Sequence, residues 1–414
     1  MVLVWMEFIW NSYLNRRQFE KVLQTTELPR EIRNIMPPPI FRVSREYTLS
    51  SLDFHLAKNV VAVTFSSFII YGDYMAKIWT YAQAKNSYGD ETTTSCIWLG
   101  LLGTLTALVD LPFDIYQTLV LKRSFGLTLM TPKIFFKDQI YEFLISQILS
   151  ISMAAIIIVV LQYTGRYLFM SFWFFCCVAL SVHSTLASVI RSPNKNEIIQ
   201  HPSDELRQKI ENLCNELNFP LERVEILLYD SSMDEHNSIF YYGLFTKNIV
   251  LSANILPIPQ LAHNLKEDEI LALLIHQLGH WYNNHTMKKM FVILILLSMW
   301  FYIFICFFEK KIVYESFGFH DSQPVLVGIL ITIQYVMLPY NVLVVFLLIS
   351  LSRRFEFEAD AFSIGLGMSE SLKKALIDTY IASINFPVLD DVYSKHIFYQ
   401  PSLLERIQHL NTFS

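Results

Sequence analysis

Runs of apolar residues too long for a soluble core decide what this chain can fold into. A helix crosses a bilayer with roughly 20 mostly apolar residues. Candidate stretches fall at 2–15, 58–82, 96–120, 139–163, 166–190, 290–308 and 325–351. The first is short, and the second carries Lys58, Asp73 and Lys77. Composition agrees, with 53% of residues hydrophobic and 17% charged, against about 25% charged in ordinary soluble domains. The reading is an α-helical multi-pass membrane protein with about seven transmembrane helices. A formal net charge of −5 supplies no basic field for nucleic acid. The opening MVLVWMEFIW lacks a basic start and a small-residue cleavage site, so it reads as a short first span and not as a cleaved signal.

Loop charge sets the expected orientation. Arg16, Arg17, Lys21, Arg30, Arg33, Arg42 and Arg45 follow the first span, Lys122, Arg123, Lys133 and Lys137 follow the third, and Arg353 and Arg354 follow the last. The alternate loops, 83–95 and 309–324, are poorer in cations. Basic loops stay in the cytoplasm, which puts 191–289 and 353–414 there. The domain reading is therefore 1–190 for the first five spans, 191–289 for a small cytosolic α+β domain, 290–352 for the last two spans, and 353–414 for a C-terminal cytosolic segment. Asp110 and Asp114 lie inside a span, where ionisable groups are costly and usually face a wet interior; a functional role and a structural helix-packing role are both open for them. The five cysteines form no C-x-x-C pair and are expected as buried small hydrophobes.

In the soluble stretch, 203–217 has helical period with Ser203 as its cap. ERVEILLYD and SIFYYGLFTKNIVLS are β-branched and aromatic and read as strands, with a turn near 246–248. Residues 267–289 return to helix. Within them stand His276, Gln277, Leu278, Gly279 and His280. Histidines at i and i+4 project from one helix face and can reach one ion. In the arrangement H-E-x-x-H, the intervening glutamate takes a proton from the zinc-bound water. A third ligand is needed, and the downstream segment SRRFEFEADAF offers Glu356, with Asp360 on the same face to accept the other N–H of a ligating imidazole. His285 is expected as a surface residue of the same helix, and His263, His320, His396 and His409 as structural.

With these residues in view, the sequence resembles the CAAX prenyl protease 1 family, the integral-membrane zinc proteases of the yeast a-factor and prelamin A processing type. LALLIHQLGHW and SRRFEFEADAF carry the likeness, with HNSIFYYG, FGFHDSQP and PSLLERIQHL. The resemblance implies helices around a large intramembrane chamber, with a zincin-like cytosolic domain. It implies one zinc ion on His276, His280 and Glu356, with Asp360 behind them and Asn237 and Arg406 near the substrate. It also implies membrane lipid and prenylated protein C-termini as partners, in the endoplasmic reticulum membrane and the inner nuclear membrane.

Two positions depart from the family. Its general-base glutamate is Gln277 here, and a family histidine is Gln400, ahead of Pro401. An amide can hydrogen-bond water but cannot take its proton at neutral pH. The expectation is a catalytically impaired protease scaffold that still binds prenylated chains. The alternatives are a fully active CAAX metalloendopeptidase using another base and, less favoured, a channel or transporter.

Overall fold

The computed structural model describes the chain apart from residues 31, 34–35, 166, 191–197, 201–202, 228–238, 244–245, 253–254, 256–264, 382–385 and 413–414. In chain order its first elements are α1 (Val2–Gln24), α2 (Pro38–Tyr71), α3 (Tyr74–Lys85), α4 (Glu91–Ile115, continued by a π-helical stretch to Lys122), α5 (Pro132–Thr164) and α6 (Tyr167–Ile190). A mixed region follows: β1 (Ile198–Gln200), α7 (Asp204–Glu216), β2 (Leu221–Leu227), β3 (Ile239–Tyr242), β4 (Lys247–Ser252) and α8 (Glu267–Tyr282). The rest comprises α9 (His285–Phe308), α10 (Lys311–Glu315), α11 (Val325–Ile331, continued by a π-helical stretch Thr332–Val336), α12 (Leu338–Gly365), α13 (Ser369–Ile381), α14 (Asp391–Ile397) and α15 (Leu403–Thr412).

Among the described residues, four helices are long and apolar enough to cross a membrane: Pro38–Tyr71, Glu91–Lys122, Pro132–Leu161 and His285–Phe308. A fifth span results if Val325–Val336 and Leu338–Gly365, bent by 52°, count as one. The chain is a helical membrane protein. Two expected spans are interrupted in the structure. The stretch 58–82 is not one helix: it breaks at Gly72 and Asp73, where Asp73 takes a left-handed φ of 51°. The stretch 325–351 bends at Met337, which follows the π-helical turns. α1 runs on through Arg16, Arg17 and Lys21 and is not among the helices of spanning length and hydropathy.

The chain forms two compact units. The first contains Met1–Glu20, Arg45–Phe175 and Leu296–Val345. Its helices start on ordinary signals: Asp90 accepts from the Thr93 N–H at 2.7 Å ahead of α4, and Thr131 caps α5 with Pro132 next. Trp98 of α4 donates to the Met75 carbonyl of α3 at 3.0 Å and meets Trp79 edge-on. Much of α5 is bare, including Ile140, Leu144, Ile148, Leu149 and Met153, which is the surface that lipid covers in a spanning helix. The intramembrane acids face a cation, with Lys58 Nζ at 3.4 Å from Asp114 and 3.9 Å from Asp110. All five cysteines are free, and only Cys214 is buried, which corrects the expectation for the other four.

The second unit contains Lys21–Ser44, Cys176–Ile295 and Phe346–Ser414. Its sheet has the order β1-β2-β4-β3, with β2 and β4 parallel and the outer pairs antiparallel. Ser203 accepts from the Leu206 N–H and starts α7. Alternate residues of the sheet, Val224, Ile226, Ile249 and Leu251, pack with Ile210 and Cys214 of α7 and Ile270, Leu274 and Leu278 of α8. Each such Leu or Ile, fully buried, contributes about 1.5–3 kcal/mol. β3 ends at Tyr242, and Gly243 follows, ahead of the expected turn. Its φ is +116°, and a Cβ there would meet the Thr246 carbonyl oxygen at 2.1 Å, so only glycine fits.

Candidate metal centre

α8 begins with Glu267, Asp268 and Glu269, acids that suit a helix N-terminus. The Glu269 carboxylate accepts from the Lys266 N–H at 2.8 Å. The helix passes unusually close to α12 at Gly279. A Cβ there would lie 3.2 Å from Phe362 Cβ and 3.3 Å from Ala359 Cα. That approach brings the histidines of α8 to the carboxylates of α12.

His276 Nε2 stands 3.4 Å from one oxygen of Glu356, and His280 Nε2 stands 3.5 Å from the other. Both separations exceed a good N–H···O hydrogen bond. They match the spacing of about 3.4 Å between donors on a tetrahedral zinc with bonds of about 2.1 Å. One donor atom from each of His276, His280 and Glu356 lies within 4.8 Å of the others. The donor chemistry, two imidazoles and a carboxylate, is that of zinc, and the residues present fit the ion.

Behind the donors lies a buried charge network. His276 Nδ1 is 2.9 Å from Asp360 Oδ1, so that nitrogen carries the proton and Nε2 keeps its lone pair for the site. Asp360 is fully buried. Arg406 of α15 donates to both its oxygens, at 2.9 Å from Nε and 2.6 Å from Nη2, and reaches to 3.8 Å from Glu356. Burial, then the neighbouring His276, push the His280 pKa down to about 4. The ring is neutral at ordinary pH, as a ligand must be.

His285 is where the structure departs most from the sequence reading. It is 3% exposed and does not extend α8. Asn284 takes a left-handed φ of 54°, which asparagine tolerates, and a new helix starts at His285. The turn sets His285 Nδ1 2.9 Å from His280 Nδ1 and His285 Nε2 3.0 Å from Glu358. The imidazole stacks on Phe355 with ring centroids 4.2 Å apart. The helix-stopping pair Asn283-Asn284 was the available signal.

The side chain of Gln277 is half-buried and makes no hydrogen bond among the described residues. Gln400 is exposed, and its carbonyl accepts from Arg353 at 3.2 Å. Arg353 also binds Glu405 at 2.5 Å and the Ser394 hydroxyl at 3.0 Å. Arg406 is buried behind the donors. Asn237 and His263 lie outside the described residues. His396 Nδ1 lies 2.9 Å from the Val392 carbonyl, His409 packs on Phe357, and His320 is exposed.

Comparison with known proteins bears on the whole chain. Residues 18–194 match the family described as "CAAX prenyl protease N-terminal, five membrane helices", and residues 200–414 match peptidase family M48. The Arabidopsis thaliana CAAX prenyl protease 1 homolog is 31% identical, with 98% of this chain and 95% of that protein aligned. The Homo sapiens homolog is 29% identical over 99% of this chain and 94% of its own length. A crystal structure of S. mikatae Ste24p has the same fold, with a TM-score of 0.73 over 99% of this chain and 97% of that one, at 24% identity.

Proposed function

This chain belongs to the CAAX prenyl protease 1 family, a family of zinc metalloproteases, and on that premise we propose that it holds one zinc ion and binds prenylated protein C-termini while being impaired in cutting them. The observation that carries the impairment is the side chain at position 277, an amide between the two histidines.

When bound, zinc supplies Lewis-acid activation of water and of a peptide carbonyl. His276, His280 and Glu356 hold it. Asp360 accepts a hydrogen bond from the Nδ1–H of His276, and Arg406 fixes Asp360 in turn. Gln277 can orient a water or a carbonyl through its amide, but it has no basic oxygen to receive a proton and return it to a leaving amine. General acid–base work accounts for roughly 10²–10⁴-fold in rate, and the loss expected here is at or beyond the upper end of that range. Gln400 can donate a hydrogen bond but cannot carry the positive charge of a histidine. Substrate approach runs through about seven spans enclosing a chamber, in the endoplasmic reticulum membrane, with the zinc-binding residues on the cytosolic side.

The test is cleavage of a farnesylated CAAX peptide by detergent-purified protein and by its Gln277→Glu variant, with zinc measured on both. Zinc on both and turnover only in the variant is the expected result. Native turnover near the variant's, abolished by chelator, overturns the impairment and identifies an active endopeptidase with another base.

A further inference from the structure

We propose that His285 and Glu358 are positioning residues that hold His280 in its zinc-binding tautomer, a relay resting on the zinc reading above. With Nε2 of His280 facing Glu356, the ring proton belongs on Nδ1. The only described polar side-chain partner of that nitrogen is His285 Nδ1, at 2.9 Å. His285 accepts there and therefore carries its own proton on Nε2, which it donates to Glu358 Oε2 at 3.0 Å. The other oxygen of Glu358 accepts from Arg354 Nε at 2.7 Å, which keeps the carboxylate ionised and aimed. Each bond fixes the tautomer of the next, so the chain has one consistent set of proton positions.

Helix geometry explains how one helix does this twice. Glu356 and Asp360 are one turn apart on one face of α12. Phe355 and Glu358, three apart, form a different face, and His285 lies across it, stacked on Phe355 and bonded to Glu358. His276 thus meets a carboxylate directly, whereas His280 meets one through a second imidazole. His285 is too buried for a solvent role.

Removing such outer partners typically weakens metal binding roughly 10–100-fold. The experiment measures zinc affinity by chelator competition, and the visible spectrum of the cobalt-substituted protein, on the full chain in detergent. His285→Phe keeps a ring against Phe355 and removes the hydrogen bonds. It is expected to weaken zinc binding roughly 10-fold or more and to shift the cobalt bands. His285→Gln, whose amide oxygen can accept from His280, recovers part of the loss. Glu358→Gln gives a smaller loss and serves where His285→Phe does not fold. Native affinity and an unshifted cobalt spectrum in both His285→Phe and Glu358→Gln overturn the relay alone. A native protein that takes up no zinc overturns the metal reading itself.

Discussion

The Arg406–Asp360 pair is the place to measure what holds the site together. Asp360 is fully buried, and its oxygens are satisfied by two nitrogens of Arg406 and by His276 Nδ1. Arg406→Gln leaves that carboxylate in a low-dielectric site with one partner. Breaking a buried pair from one side costs about 3–5 kcal/mol. At about 2 °C per kcal/mol for a protein of this size, melting falls by about 6–10 °C. Asp360→Asn likewise takes from the guanidinium its two hydrogen bonds to a carboxylate and leaves Glu356 at 3.8 Å as its charged partner. The double variant strands neither charge, so its loss is smaller than the sum of the singles by about 2–3 kcal/mol. Thermal unfolding of chelator-stripped protein in detergent reads all three without mixing in lost zinc. Single losses that simply add, within about 0.5 kcal/mol, would refute the claim that the network stabilises by charge pairing.

Two further predictions follow from local geometry. Gly279→Ala places a methyl against the backbone of Ala359. The overpacking costs about 1–3 kcal/mol, and because the same approach aligns the histidines with Glu356, calorimetry with zinc should record weaker binding along with the lower melting point. The His280 pKa, held near 4 by burial, lies below its ordinary unfolded value of about 6.5. The unfolded chain therefore binds the extra proton between those values. The contribution of His280 to the stability of the metal-stripped protein is complete above about pH 6.5 and declines toward pH 4, by at most about 3 kcal/mol. A urea midpoint that stays flat across that window sinks the assignment.

How much of this was legible in the sequence depends on the range of the interaction. The clearest apolar segments survive as helices, because twenty apolar residues have few alternatives to crossing lipid. That His276 and His280 share a face was legible because i and i+4 on a helix fix a face regardless of the rest of the fold, and the structure brings Glu356 within 4.8 Å of both. The breaks were harder. Asp73 in a left-handed turn and Met337 after a π-helical stretch look like ordinary residues in an apolar run. His285 was misread for the same reason: periodicity carried the helix through Asn283 and Asn284, whereas the structure turns there. Glu358 sits two positions past Glu356, on another helix face, and only the arrival of α9 gives it a partner. The bond from Arg406 to Asp360 was not legible either, because no local pattern tells that a C-terminal arginine folds back onto α12.

These contacts separate the scaffold of the site from its chemistry. The described polar contacts that orient the two histidines run to residues of α12, to Arg406 or to His285. α12 supplies Arg353, Phe355, Glu356, Glu358 and Asp360 within eight consecutive positions, so a change there disturbs packing, charge balance and metal binding together. Gln277 belongs to none of these networks. Exchanging a carboxylate for an amide at a half-buried position without hydrogen-bond partners removes a proton acceptor and no supporting contact. The same substitution at Asp360 would leave the buried Arg406 guanidinium with only Glu356, at 3.8 Å, as a charged partner, which costs several kcal/mol. Position 277 can therefore lose its base while the fold and donor geometry persist, and Gln277→Glu needs no compensating change elsewhere to restore the proton acceptor.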